Sequence, residues 1–181
     1  MESPTQTTLS GSATSIAGPK EQFLSAYDRE HATTMRVLRA YPPDRLDLQP
    51  HPKCKDARHL AWVFVSECML GASVFKNEFA TRGPSGGLPE PPESWDDLLG
   101  AVESSQQEFG DLIRATPEEE LFEKVKFFVA PKTMGEVSRL EWLWFLLSDQ
   151  IHHRGQFSIY LRMADGKVPS IYGPTADEPW M

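Results

Sequence analysis

Apolar residues recur at helical spacing from about residue 21 to residue 40, with Phe23, Leu24, Tyr27, Met35, Val37 and Leu38 at candidate core positions. Tyr41-Pro42-Pro43 stops the pattern, because consecutive prolines cannot continue the helical hydrogen-bond ladder. Residues 44–53 read as a loop. A second helix is predicted from Asp56, its N-cap, to about residue 81. Ser94 with Asp97 opens a third, which carries Leu98, Leu99, Val102, Phe109 and Leu112 and ends near Ala115. Between them, residues 82–93 contain Gly83-Pro84, Gly86-Gly87, Pro89, Pro91 and Pro92, a composition that only a long irregular connection tolerates. A connection of that length in a small domain often forms a lid or a site wall.

Thr116-Pro117-Glu118-Glu119 has the form of a capping box with proline at the first helical position, which predicts a short helical turn. Residues 124–130 alternate enough for a short extended segment. A second capping box, Thr133-Met-Gly-Glu136, is expected to open the longest and most apolar helix, which ends at Asp165-Gly166. Residues 167–181 contain Pro169, Pro174 and Pro179 and read as irregular, with Ile171, Tyr172 and Trp180 expected to pack back on the body. Four long helices with three connections make an all-α four-helix bundle the expected fold. The connections are long enough to cross an end of the bundle, so simple up-down-up-down topology is not required.

A chain of 181 residues suits one domain. The expected division is a polar N-terminal tail, residues 1–18, and a bundle domain, residues 19–181. The longest apolar runs, residues 60–65 and 142–147, are far below the roughly 20 residues that span a bilayer, so no membrane partner is expected. The start of the chain has neither a basic segment nor an apolar stretch of the secretory kind, and a cytoplasmic location is expected. Cys54 and Cys68 are then expected as free thiols. The net charge of -8 would repel a phosphate backbone, so nucleic acid is not an expected partner.

Three residues stand out as candidate metal ligands. At 100° per residue His59 shares a stripe of the second helix with Val63, Ser66, Leu70 and Val74, which points it into the bundle. A lone inward histidine is more often a core residue satisfied by a hydrogen bond than a ligand. In the last helix Asp149 and His153 are one turn apart, on a face that also carries Trp142, Phe145, Leu146, Gln156 and Tyr160. A carboxylate on a core face is costly unless it is paired, hydrogen-bonded or bound to a cation. An Asp149–Arg pair, an Asp149–His153 pair, or a register that takes Asp149 to solvent would each answer that cost without a metal. Two ligands at i and i+4 with a third on a facing helix are nevertheless what a three-ligand metal site in a bundle needs. His152 is the weaker competitor for the place of His153. His31 and His51 read as surface residues, Arg154 as a structural ion-pair partner pointing away from the ligand face, and Tyr160 as core. Gln156 is the best candidate for a hydrogen bond behind a ligand.

The string His152-His-Arg-Gly-Gln156, continuing Phe-Ser-Ile-Tyr160-Leu-Arg162, resembles the closing motif of the DinB/YfiT-like superfamily. Asp56-Ala-Arg-His59-Leu-Ala-Trp is similar to the start of that family's second helix, and Val168-Pro-Ser-Ile-Tyr172-Gly-Pro to its tail. The resemblance implies an up-down-down-up bundle with crossover connections, and frequent homodimers. It also implies a divalent metal held by three histidines; two histidines with one carboxylate, the set present here, is open to Zn, Ni, Fe or Mn. Two of the family's three histidines match His59 and His153, and the third falls on Asp149, which either retunes the site or marks its loss. In characterised branches the activity is transfer of a low-molecular-weight thiol to a small electrophilic substrate, and a related hydrolase-like activity is conceivable on the same site. The competing expectation is a non-catalytic, dimeric stress-response or binding scaffold, in which these side chains hydrogen-bond directly to one another.

Overall fold

The computed structural model describes residues 17–82 and 89–181. Residues 1–16 of the expected tail and 83–88 of the Gly/Pro-rich connection lie outside the described residues. Among the described residues four long helices alternate with shorter elements: α1 (Pro19–Arg39), α2 (Ala57–Phe75), the single turn α3 (Phe79–Arg82), α4 (Trp95–Ala115) and α5 (Arg139–Met163). A two-stranded hairpin, β1 (Lys124–Ala130) and β2 (Thr133–Ser138), precedes α5. Asp56 caps α2 by accepting from the His59 N–H, and Ser94 caps α4 by accepting from Asp97.

Three boundaries differ from expectation, each for a local reason. α2 stops at Phe75 rather than near residue 81. Asn77 adopts a left-handed conformation (φ 57°), and the Glu78 N–H turns back to the Ser73 carbonyl. The turn after α4 forms (Glu118–Phe122), but without the expected box, because the Thr116 hydroxyl donates to Leu112 O at 2.8 Å instead. Thr133-Met-Gly-Glu136 is strand, not helix start. The extended backbone of β1 needs an antiparallel partner, and residues 133–138 supply it, with Lys124 opposite Ser138 and Phe127 opposite Gly135. The capping box that opens α5 is Ser138 with Glu141, complete in both directions. The far end of α5 is as expected: Asp165 is left-handed (φ 62°) and the Gly166 N–H reaches Leu161 O.

Cross-helix contacts fix the topology. Phe23 meets Trp144 and Tyr41 meets Phe157, so α1 and α5 run the same way. Lys20 binds the carbonyls of Arg114 and Thr116 while Arg39 pairs with Glu103, so α4 runs opposite to α1. The Tyr160 hydroxyl reaches Lys55 O and the Trp142 indole reaches Gly71 O, so α2 is antiparallel to α5. The order is up-down-down-up, with α1 and α2 on one diagonal and α4 and α5 on the other. At Gly71 the helices approach so closely that a Cβ would stand 2.5 Å from Leu146 and 3.0 Å from Phe109.

The core divides into two apolar clusters. One gathers Leu38, Phe64, Leu98, Phe157 and Leu161, and the other gathers Phe23, Phe75, Phe109, Trp142 and Leu143. Between them lies a belt of buried polar side chains: Glu30 and Thr34 from α1, Glu67 from α2, Gln106 from α4, and Gln150 and Arg154 from α5. Arg154 is only 1% exposed. It donates to Glu30 Oε2 at 2.8 Å, to Glu30 O at 3.0 Å and to the Tyr172 hydroxyl of the tail. Tyr172 in turn donates to Glu30 Oε2 at 2.6 Å, which straps the irregular C-terminal segment to the bundle waist; Ile171 packs on the core as expected, while the Tyr172 and Trp180 side chains stay largely exposed.

Burial pushes the Glu30 carboxyl up, but the hydrogen bonds from Tyr172 and Arg154 and the Arg154 charge outweigh it, so its pKa lies below the ordinary value. Its stabilising contribution is therefore full above the ordinary carboxylate value and is lost as pH falls through the lowered one. Arg154→Met removes the buried cation and leaves that carboxylate only the largely exposed Arg29, whose Nε lies 3.3 Å from Oε1; it is expected to cost roughly 3 kcal/mol of unfolding free energy in urea titrations at neutral pH. The acid-side loss of stability in the wild type is expected to be shallower in Glu30→Gln. A loss below about 1 kcal/mol for Arg154→Met would contradict the buried pairing.

Candidate metal centre

The second half of the polar belt faces α2 and α5. Glu67 is the one charged side chain in the run from Leu60 to Phe75, and it sits on the seam Leu60, Phe64, Glu67, Gly71, Val74 that packs into the bundle. It is 7% exposed. Facing it from α5, His153 brings Nε2 to 3.2 Å from Glu67 Oε1, and Asp149, one turn earlier, lies 3.9 Å from the same imidazole nitrogen. One donor atom from each of Glu67, Asp149 and His153 falls within 4.8 Å of the others.

The electrostatics are lopsided. Glu67 Oε1 faces the imidazole, and Oε2 is buried with no hydrogen-bond partner among the described residues. Burial pushes the Glu67 carboxyl up to about 6, against the hydrogen bond and charge of His153, and the nearby Asp149 carboxylate adds to the rise. His153 is also raised, first by its hydrogen bond to Glu67 and in spite of its own burial. The two rises have different causes: burial at Glu67, and the hydrogen bond from Glu67 at His153. Glu30, in the same belt, has a full set of cationic and hydroxyl donors; Glu67 does not. A buried oxygen without a donor, beside a second carboxylate and an imidazole on a facing helix, fits a divalent cation.

Behind His153, its Nδ1 lies 3.0 Å from Gln156 Oε1, so Nδ1–H donates to that amide and the ring is held with Nε2 toward Glu67. The amide nitrogen of Gln156 contacts His152 Nε2 at 2.9 Å. Beside this centre opens a cleft of about 460 Å³, lined by Cys54, Leu60, His153, Gln156, Ile159 and Tyr160 among others. Cys54 is an exposed free thiol and Cys68 a buried one.

Of the three ligands expected from sequence, Asp149 and His153 come together and His59 does not join them. His59 bonds through Nδ1 to Asp56 Oδ1 at 2.7 Å, stands 3.6 Å from Glu90, and leaves 37% of its side chain exposed. The buried face of α2 is rotated by about one residue from the expected stripe, onto Leu60, Phe64, Glu67 and Gly71. The costly core carboxylate is Glu67 rather than Asp149: the Asp149 side chain is 44% exposed at the edge of the bundle, and Phe145 and Gln156 on its face are exposed as well. Glu67 was missed, although a single acid inside an apolar helical run on the core seam is a readable signal. Arg154 makes the expected structural ion pair, Tyr160 is buried and His51 is exposed. His31 is half-buried rather than on the surface, and burial lowers its pKa.

Comparison with known proteins agrees with the fold. The profile of the DinB family matches residues 10–180. An uncharacterised protein of Bacillus subtilis (strain 168), YrdA, is 23% identical over 159 residues, covering 87% of this chain and 90% of its own. Among solved structures, a DinB-like protein from Bacillus cereus ATCC 10987 superposes with a TM-score of 0.70 at 23% identity, over 84% of this chain and 97% of that one. A second DinB-like protein, YjoA from Bacillus subtilis, gives a TM-score of 0.64 at 15% identity, over 83% and 97% of the two chains.

If Glu67 is held in the core for a ligand rather than for the fold, removing its charge relieves the metal-free protein. Glu67→Met, measured by urea denaturation with a chelator present, is expected to raise the unfolding free energy by about 1–3 kcal/mol, the usual cost of a buried unsatisfied polar group. A comparable loss of stability would mean that the carboxylate serves the fold.

Proposed function

Because the chain belongs to the DinB family, we propose that it is a metal-dependent enzyme that transfers a low-molecular-weight thiol to a small electrophilic substrate. Glu67, Asp149 and His153 would hold the cation. The observation that carries this reading is the buried Glu67 Oε2, an anionic oxygen with no donor, next to a second carboxylate and an imidazole oriented from behind.

When bound, a divalent cation would favour the thiolate form of a thiol at neutral pH. The chain's own residues do the rest. Gln156 accepts from His153 Nδ1–H and so keeps the Nε2 lone pair directed at the centre. Leu60, Ile159 and Tyr160 offer apolar walls for the carbon body of a substrate and limit water beside His153. Tyr160 is fixed by its hydrogen bond to Lys55 O at 2.8 Å, and burial pushes its hydroxyl up to about 12, so it serves as a neutral wall rather than a base. Among the described residues no helix is long and apolar enough to cross a membrane. A cytoplasmic homodimer that binds neither membrane nor nucleic acid is part of the same proposal.

A second reading is favoured by one contact. The direct approach of His153 Nε2 to Glu67 Oε1 at 3.2 Å suits a polar network in a non-catalytic scaffold. Metal analysis of protein purified without a metal-affinity tag decides between the two. Near-stoichiometric metal is expected in the wild type and in His59→Ala, with loss in Glu67→Ala, Asp149→Ala and His153→Ala. Loss in His59→Ala would return that histidine to the ligand set. Wild-type protein that takes up none of Zn, Ni, Fe or Mn on reconstitution would leave the scaffold. For metal-loaded protein, disappearance of free thiol in the presence of a haloalkyl electrophile is expected, and its absence would remove the transfer step.

A further inference from the structure

The donor set at the bundle waist is chemically unlike three imidazoles. We propose that this centre is tuned toward a hard, oxygen-seeking divalent cation of the Mn2+ type and away from Zn2+, because two of its three donors are carboxylates drawn from facing helices. The inference rests on the metal reading above and adds to it the kind of ion the site selects.

Three observations carry it. First, Glu67 and Asp149 supply oxygen and His153 the single nitrogen, and carboxylate oxygens suit manganese and its neighbours, whereas imidazole-rich and thiolate-rich sets suit zinc. Second, no soft donor joins the group. The Cys68 thiol is buried beside the Gln150 amide at 3.7 Å and is not one of the gathered residues. Cys54 lines the neighbouring cleft but is not one of the three gathered residues. Third, two carboxylates with one imidazole can neutralise a dication fully, which answers the missing positive charge at Glu67 Oε2 that no residue of the belt provides. Three protein ligands also leave an octahedral ion several open positions for water and substrate, which hard ions retain readily.

Zinc binds most protein sites more tightly than manganese in absolute terms, so the readout is a ratio. Mn2+ binding is followed by loss of the free-ion electron paramagnetic resonance signal, and Zn2+ is then added in competition, for the wild type, Asp149→His and Glu67→His/Asp149→His. The half-exposed position of Asp149 makes the single variant tolerant of the change should the double variant fail to fold. The preference for Zn2+ over Mn2+ is expected to rise by about tenfold or more in the histidine variants. An equal or higher zinc preference in the wild type overturns the proposal while leaving the centre a metal site. Wild-type protein that binds neither ion overturns both.

Discussion

A carboxylate buried in a helix bundle must be given a cation, a set of hydrogen-bond donors or a proton, and the waist of this protein holds two such groups with opposite outcomes. Glu30 has Arg154 and Tyr172 around it and ionises more readily than an exposed glutamate. Glu67 has one imidazole, an acidic neighbour and an unpartnered oxygen, and ionises less readily. Similar burial therefore has a structural use on the α1 side of α5 and leaves an incomplete charge balance on the α2 side. That imbalance is what makes the second group a candidate centre.

The fold explains why both fall in one layer. The up-down-down-up order sets α5 between α1 and α2, so successive residues of one helix turn can serve both partners. Arg154 points to α1 while its neighbour His153 points to α2. Apolar clusters above and below the belt exclude water from its deeper members, which raises the cost of any unpaired charge there. The strap from Tyr172 couples the tail to the structural half of the belt, whereas the cleft opens beside the other half through Leu60, Gln156 and Ile159.

Much of this was legible in the sequence, because the relevant signals are local. The caps Asp56 and Ser94, the Pro42-Pro43 stop and the Asp165-Gly166 terminus act within a few residues of themselves. So does the Asp149, His153, Gln156 ladder along one helix. What was misread depends on distant partners. Thr133-Met-Gly-Glu136 and Ser138-Arg-Leu-Glu141 are equally good boxes by composition, and only the need of β1 for a partner strand chooses between them. A stripe through His59, Val63, Ser66 and Leu70 points His59 inward on sequence alone, and the family resemblance assigns it as a ligand. Helix phase, set by how tightly α2 packs at Gly71, brings Glu67 to face α5 instead.

In the proposed site Glu67 is kept buried and short of donors because it completes a cation site with Asp149 and His153. Anomalous diffraction from crystals of the manganese-loaded protein tests it most directly. A single strong peak is expected at the waist between α2 and α5, within coordination distance of oxygen and nitrogen donors from all three side chains. A peak ligated elsewhere, or no peak there at full loading, would contradict it.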